Sequence, residues 1–237
     1  MNIVFKIKFK ISASVIIFIL LLLLTIFVGY KYFTTEVTDK WSAVFGSLAA
    51  GLVVAIIQFI IAWRDYELTE KIAKLKLKEI LYRRNNREFY ADYIKRANQN
   101  ISIMGVTAIR FFNDFADNTP NAAESSKVLF VALSNGVHVR ILLPDTDFID
   151  ETSKRQDIER VKQKVTEIKQ NYSNLELKFF NHIPSHSIFS VDETCIVGPV
   201  FPYLESKNTP ALYLENSSPI AIEYLKYFEI EWRNSHE

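Results

Sequence analysis

The residues able to do chemistry are few, and most fall in one stretch: His182-Ile-Pro-Ser185-His186-Ser-Ile-Phe-Ser190-Val-Asp192-Glu-Thr-Cys-Ile-Val-Gly198-Pro199. An imidazole near hydroxyls and a carboxylate has the makings of a nucleophile or general base. No glycine-rich phosphate loop, zinc signature or Ser-His-Asp order accompanies it, and no cofactor or metal site is expected. Two further polar residues sit in strand-like sequence. Arg140 has an alternative role as a partner for a carboxylate, and His138 as a satisfied strand residue.

Elements able to position these residues follow one another from residue 100 onward. Ile101 to Val106 reads as a short strand, and Asn121 to Asn135 as an amphipathic helix stopped by Gly136. Val137 to Leu143 is rich in β-branched residues and ends at Pro144, as a buried strand does. Asp150 to Asn171 is a charged helix with Ile158, Val161, Val165 and Ile168 at spacings of three and four. Leu175 to Phe180 alternates like a strand. Phe189 to Val197 is apolar on both sides of a hairpin turn at Asp192-Glu193-Thr194. Ala211 to Leu214 is a further strand, and Ser218 to about Asn234 a final helix with Pro219 in its first turn. Strands separated by helices predict a single α/β domain over 99–237.

The amino-terminal third is of another kind. Ile11–Tyr30 and Trp41–Trp63 contain no Asp, Glu, Lys or Arg. Each is long enough to cross a hydrocarbon core of about 30 Å as a helix. Only the loop 31–40 separates them, so they predict a transmembrane hairpin. Lys6, Lys8 and Lys10 precede it, in a tail over 1–10. Arg64, Lys71, Lys74, Lys76, Lys78, Arg83, Arg84 and Arg87 follow it. That distribution places both termini in the cytoplasm and the loop in the periplasm. Nor does the first run read as a cleaved signal, since no small-x-small site follows in VGYKYFTTE. The single cysteine, Cys195, excludes an intrachain disulfide and a cysteine metal cluster, and suits a reducing compartment.

The first run is a Leu/Ile-rich cylinder with one polar group, Thr25. Along the second, Ser47, Gly51 and Ala55 recur every fourth residue beside Gly46 and Ala50, and Gln58 projects from the same side. Such stripes are association surfaces in lipid, either within the hairpin or between second helices of several copies. The segment 64–98 has no Gly or Pro, and Leu68, Ile72 and Leu75 recur at helical spacing; it predicts a linker helix. Its basic residues would also attract anionic headgroups. A net charge of +1 gives no general argument for nucleic-acid binding.

Over residues 98–235 the order and texture resemble one half of a phospholipase D-type fold. NGVHVRILLPD resembles its helix-to-strand step, and YLKYFEIEW its closing helix with a Phe-Glu-x-x-Trp ending. The resemblance implies a His-x-Lys motif followed by Asp: the His attacks phosphorus, the Lys neutralises oxygens and the Asp orients the imidazole. His186 and Asp192 are the vestigial candidates for this pair. Ile188 occupies the Lys position, Asp192 arrives one residue early, and Pro199 stands where Ser or Gly belongs. Moving the register to fit Asp192 puts Ser185 in the nucleophile's place. The expectation is a degenerate domain without catalytic residues. The resemblance further implies that His182, Ser185, His186, Ser190 and Asp192 gather round a ligand cleft, with Lys178 and Arg140 as more distant partners for an anion.

The whole chain resembles the two-helix membrane effector encoded with a bacterial retron, an anti-phage abortive-infection system. The resemblance implies a toxin of the inner membrane whose partners are the retron reverse transcriptase and its multicopy single-stranded DNA (msDNA). It also implies the lipid bilayer and further copies of the chain as partners. Two alternatives stay open: a membrane-anchored phosphodiesterase or nuclease using His186, and a non-toxic tethered ligand sensor.

Overall fold

The computed structural model describes residues 13–36 and 39–237. The lysines at positions 6, 8 and 10, on which part of the topology argument rests, lie outside them. The chain divides into two units, Met1–Ile72 and Ala73–Glu237.

In the first unit, helix α1 covers Ala13–Thr34, and helix α2 starts at Lys40 and runs on to Lys74. Both are long and apolar enough to cross a membrane, over Val15–Thr34 and Lys40–Tyr66. They pack along a seam. Phe18 stacks on Phe59 at 5.9 Å and meets Trp63 edge-on at 6.4 Å. Val28 and Leu52 are buried, and the Tyr32 ring lies over Gly46. Down α2, flanked by the partly covered Gly46 and Ala55, the covered positions Ser42, Phe45, Ala49, Leu52, Ile56, Phe59 and Trp63 alternate spacings of three and four. Their mean spacing is near 3.5, that of a left-handed helix pair. Thr25 is partly covered and returns its hydroxyl to the Leu21 carbonyl at 2.8 Å.

The segment 64–98 is not one helix, which corrects the expected linker. Helix α2 stops at Lys74, and Lys76 takes a left-handed φ of 49°. Leu77–Leu81 then forms an edge strand, β1, and Arg87–Lys95 a separate helix, α3, capped by the Asn86 side chain. The alternation in LKLKEIL wins because Leu77 and Leu81 pair with Leu214 and Ala211 of the last strand.

The second unit is built on one mixed sheet of order β1-β7-β6-β5-β2-β3-β4. Its other strands are β2 Asn100–Met104, β3 His138–Pro144, β4 Leu175–Phe180, β5 His186–Val191, β6 Thr194–Pro199 and β7 Ala211–Glu215. β2, β3 and β4 run parallel and the remaining pairings are antiparallel. The fold class is therefore α/β, as anticipated. Helices α3, α4 (Ile109–Phe115), α5 (Val128–Ser134) and α6 (Thr152–Lys169) cover one face, and α7 (Pro219–Asn234) the other. The strand alternation shows why two cores form. Val139, Ile141 and Leu143 enter the core under α3–α6, while Leu142 enters that under α7 with Met104, Ile188 and Cys195. The helix expected over 121–135 reduces to a short 3₁₀ turn followed by α5, and Gly136 stops it at φ 82°.

Candidate functional site

Strand β5 runs antiparallel beside β2, so its first residues lie where the parallel strands end. His182 follows β4, Ser185 precedes β5, and His186 opens it. Helix α7 presents Tyr224, Tyr227 and Glu231 to them from one face, at spacings of three and four. The His186 ring meets Tyr224 and Tyr227 edge-on at 5.4 and 5.1 Å. Its Nδ1 is 2.7 Å from Ser185 Oγ. His182 Nε2 lies 3.1 Å from Glu231 Oε2 and 3.4 Å from Tyr227 Oη, and its Nδ1 is 3.0 Å from the Ile183 carbonyl. Burial raises the pKa of the Tyr227 phenol, the Glu231 charge adds to that, and a hydrogen bond with Ser185 opposes both. Two imidazoles, a phenol, a hydroxyl and a carboxylate thus form one polar string. It can pass protons, but it offers a phosphoryl oxyanion no fixed cation. Ile188, two residues beyond His186, is fully buried under α7.

Ser190 and Asp192 do not join this group, which corrects the expected five-residue cleft. Asp192 lies six positions along the chain from His186, about 20 Å at the usual rise of a strand. Asp192 sits in the β5–β6 turn at φ 47°. Its carboxylate accepts from the backbone N–H groups of Asn98, Gln99 and Asn100 at 2.7, 3.0 and 2.9 Å, tying the start of β2 to the hairpin. Ser190 donates to the Thr194 carbonyl. Both line a second groove, of about 440 Å³, with Asn100, Ser102, His138 and Arg140. Arg140 is held by Glu229, and Lys178 lies over the Trp232 ring at 5.0 Å while donating to the Trp232 carbonyl. Both cations are engaged on α7, and no hydrogen bond or ion pair joins either to His182 or His186.

A third group escaped the sequence reading. Arg84, on the loop after β1, is buried at 9% exposure. It donates from Nε to the Ser206 carbonyl at 3.0 Å, from Nη1 to Ser187 Oγ at 2.7 Å, and from Nη2 to Thr209 Oγ1. Arg110 Nη1 donates to the Arg84 carbonyl at 2.8 Å. Tyr90 lies within the electrostatic reach of both guanidinium groups. In the sequence Arg84 belongs to a basic run that topology alone accounts for; its partners are more than a hundred residues away.

No family model matches the chain, and no curated protein matches it. Solved structures do resemble it. One is TrmBL2, an archaeal DNA-binding chromatin protein, at 14% identity over 79% of this chain and 70% of that one, with a TM-score of 0.46. Another is the phosphatidylserine synthase of Haemophilus influenzae, at 13% identity over 65% of this chain, with a TM-score of 0.39. The chain spans 37% of the synthase's length. At these scores neither likeness bears on chemistry. The fold and its side chains define a class: two apolar helices of membrane-spanning length, followed by a mixed α/β unit.

Proposed function

We propose that this chain is the membrane effector of a bacterial retron anti-phage system. In this reading the hairpin sits in the inner membrane with both termini cytoplasmic, following the positive charges at its ends. The phospholipase D-like unit is a regulatory module without phosphodiesterase activity, held by the reverse transcriptase and its msDNA. Release lets second helices from several copies meet, and the bilayer leaks.

The observation that carries this reading is the division of α2 into two faces. One packs on α1 through Gly46, Leu52 and Phe59; Ser47, Gly51 and Gln58 are exposed elsewhere, with Ala55 partly covered between them. A hairpin satisfied along one seam still offers small residues and an amide to another helix, and an amide in hydrocarbon needs a partner. Two helices cannot enclose a pore, so a leak requires that second contact. Ile188, apolar and buried where the family resemblance calls for a cation, supports the non-catalytic role of the α/β unit.

Expression of the protein alone, with membrane potential and propidium entry followed in time, tests the reading. Depolarisation should precede loss of viability. Harmless expression, or death at unchanged potential, would overturn it. The contact between Ser185 and His186, beside His182 and Tyr227, favours one rival: a tethered phosphodiesterase. His186→Ala separates the two. The variant should stay toxic; a folded, inserted and harmless variant would hand the case to the enzyme.

A further inference from the structure

Arg84 is a buried cation among neutral partners. Its three hydrogen-bond acceptors are two hydroxyls and a carbonyl, and it forms no ion pair with any described carboxylate. Removing a guanidinium from water without a counter-charge is costly. Three bonds occupy three of its five N–H groups, which leaves one on each terminal nitrogen. The neighbourhood adds positive charge. Arg87 and Arg110 share a single carboxylate, Asp114, at 4.0 and 3.1 Å, and Lys207 engages Glu205 at 2.7 Å. Four cations, Arg84, Arg87, Arg110 and Lys207, thus face two carboxylates. The Arg110 side chain, 35% exposed, opens this cluster to solvent.

An independent observation points the same way. Tyr90 is buried at 9% exposure, and its hydroxyl has no hydrogen-bond partner. Orphaned buried hydroxyls are rare, and each calls for a reason. This one lies within the electrostatic reach of both arginines; burial, against their opposing charge, pushes its pKa up to about 12. The phenol therefore keeps its proton at neutral pH and is a donor without an acceptor. Ser187 Oγ accepts from Arg84, so its own proton is also available.

We infer that Arg84, Arg110 and Tyr90 form a receptor for a phosphate group. Guanidinium forks match the paired oxygens of a phosphate, and a dianion balances two excess positive charges. A phosphate also has enough lone pairs to accept from the phenol and the Ser187 hydroxyl together. The inference is independent of the effector reading: a bound phosphate would make the α/β unit a ligand-responsive module whatever the helices do.

The test uses the full-length protein in phosphatidylcholine nanodiscs. Unfolding of the α/β unit is followed by near-ultraviolet circular dichroism while inorganic phosphate replaces chloride at fixed ionic strength. Phosphate should raise the unfolding midpoint, as a ligand selective for the native state does. Arg110→Gln should weaken the apparent affinity about tenfold, because a charge-assisted pair is lost. Tyr90→Phe should weaken it about fivefold, the loss of one hydrogen bond, while leaving the phosphate-free protein as stable as before or more so. Weaker phosphate binding without loss of stability separates a receptor hydroxyl from a purely structural one. Arg160→Gln, on the exposed face of α6, should change nothing. Nanodiscs containing phosphatidic acid tell the source of the phosphate. A midpoint already raised there, with no further response to free phosphate, identifies a lipid headgroup; an unchanged response identifies a soluble phosphate. No phosphate shift, or equal shifts in wild type, Arg110→Gln and Tyr90→Phe, would overturn the inference.

Discussion

Arg140 of β3 grips Glu229 of α7 with both terminal nitrogens, Nη2 to Oε1 at 2.7 Å and Nη1 to Oε2 at 3.1 Å. The same guanidinium lies 5.0 Å from the Phe228 ring centre and 5.4 Å from that of Trp232. One side chain therefore docks the last helix by charge and by stacking. Arg140→Ala should cost about 2 kcal/mol, the sum of a partly exposed bidentate pair and two cation–π contacts. Glu229→Gln, which keeps the stacking, should cost less than half as much. Urea unfolding of the two variants checks the order, and equal losses would mean that stacking contributes little.

The α2 faces make opposite demands of two glycines. A side chain at Gly51 meets open space, whereas a Cβ at Gly46 would stand 3.0 Å from the Tyr32 ring. Gly51→Leu should therefore preserve the hairpin while weakening contact between copies and reducing toxicity. Gly46→Leu should separate α1 from α2 at that end. Cysteine cross-linking within and between copies reads both effects. Undiminished intermolecular cross-linking and toxicity in Gly51→Leu would remove this face from the mechanism.

Much of this architecture is legible in the residues. Strands β3 to β7 follow from β-branched alternation broken by Pro144, Asp192-Glu193 and Ser218-Pro219, because turn chemistry is local. β1 is hidden by its position: Lys78 and Glu79 suit a solvated edge strand and a charged helix equally, and only pairing with β7 decides. The site divides in the same way. His182, Ser185 and His186 are close in the chain and stay close. Tyr227 and Glu231 reach them only through the packing of α7. Asp192 misleads because six residues look short in a sequence and are long in a strand. Arg84 is the hardest to read, since its burial depends on Ser187, Ser206 and Thr209, which arrive only when the sheet closes.

Gly198 in β6 is required by contact. A Cβ there would stand 2.8 Å from the Pro210 carbonyl oxygen and 3.3 Å from Ala211 Cα, both backbone atoms at the start of β7. Neither can move without displacing the strand. Gly198→Ala should thus destabilise the α/β unit by about 1–3 kcal/mol, as overpacking does. Thermal unfolding measures it, and a neutral variant would show that β7 shifts freely.

The α/β unit should also lose stability in alkali. Burial raises the Cys195 thiol from 9.0 to about 12 and the Tyr90 phenol from 10.0 to about 12, and the Tyr93 phenol rises too. Above about pH 9 the unfolded chain releases these protons while the folded one retains them. Each further step upward therefore favours unfolding. Below that point the contribution is fully present, and it is progressively lost towards pH 12. The urea midpoint should accordingly be level through neutrality and fall from about pH 9, where the thiol of the unfolded chain begins to titrate. Tyr90→Phe removes one of the retained protons, so its midpoint should fall less steeply. A wild-type midpoint that stays level across this range would mean that these groups are solvated in the folded protein, contrary to the two cores described above.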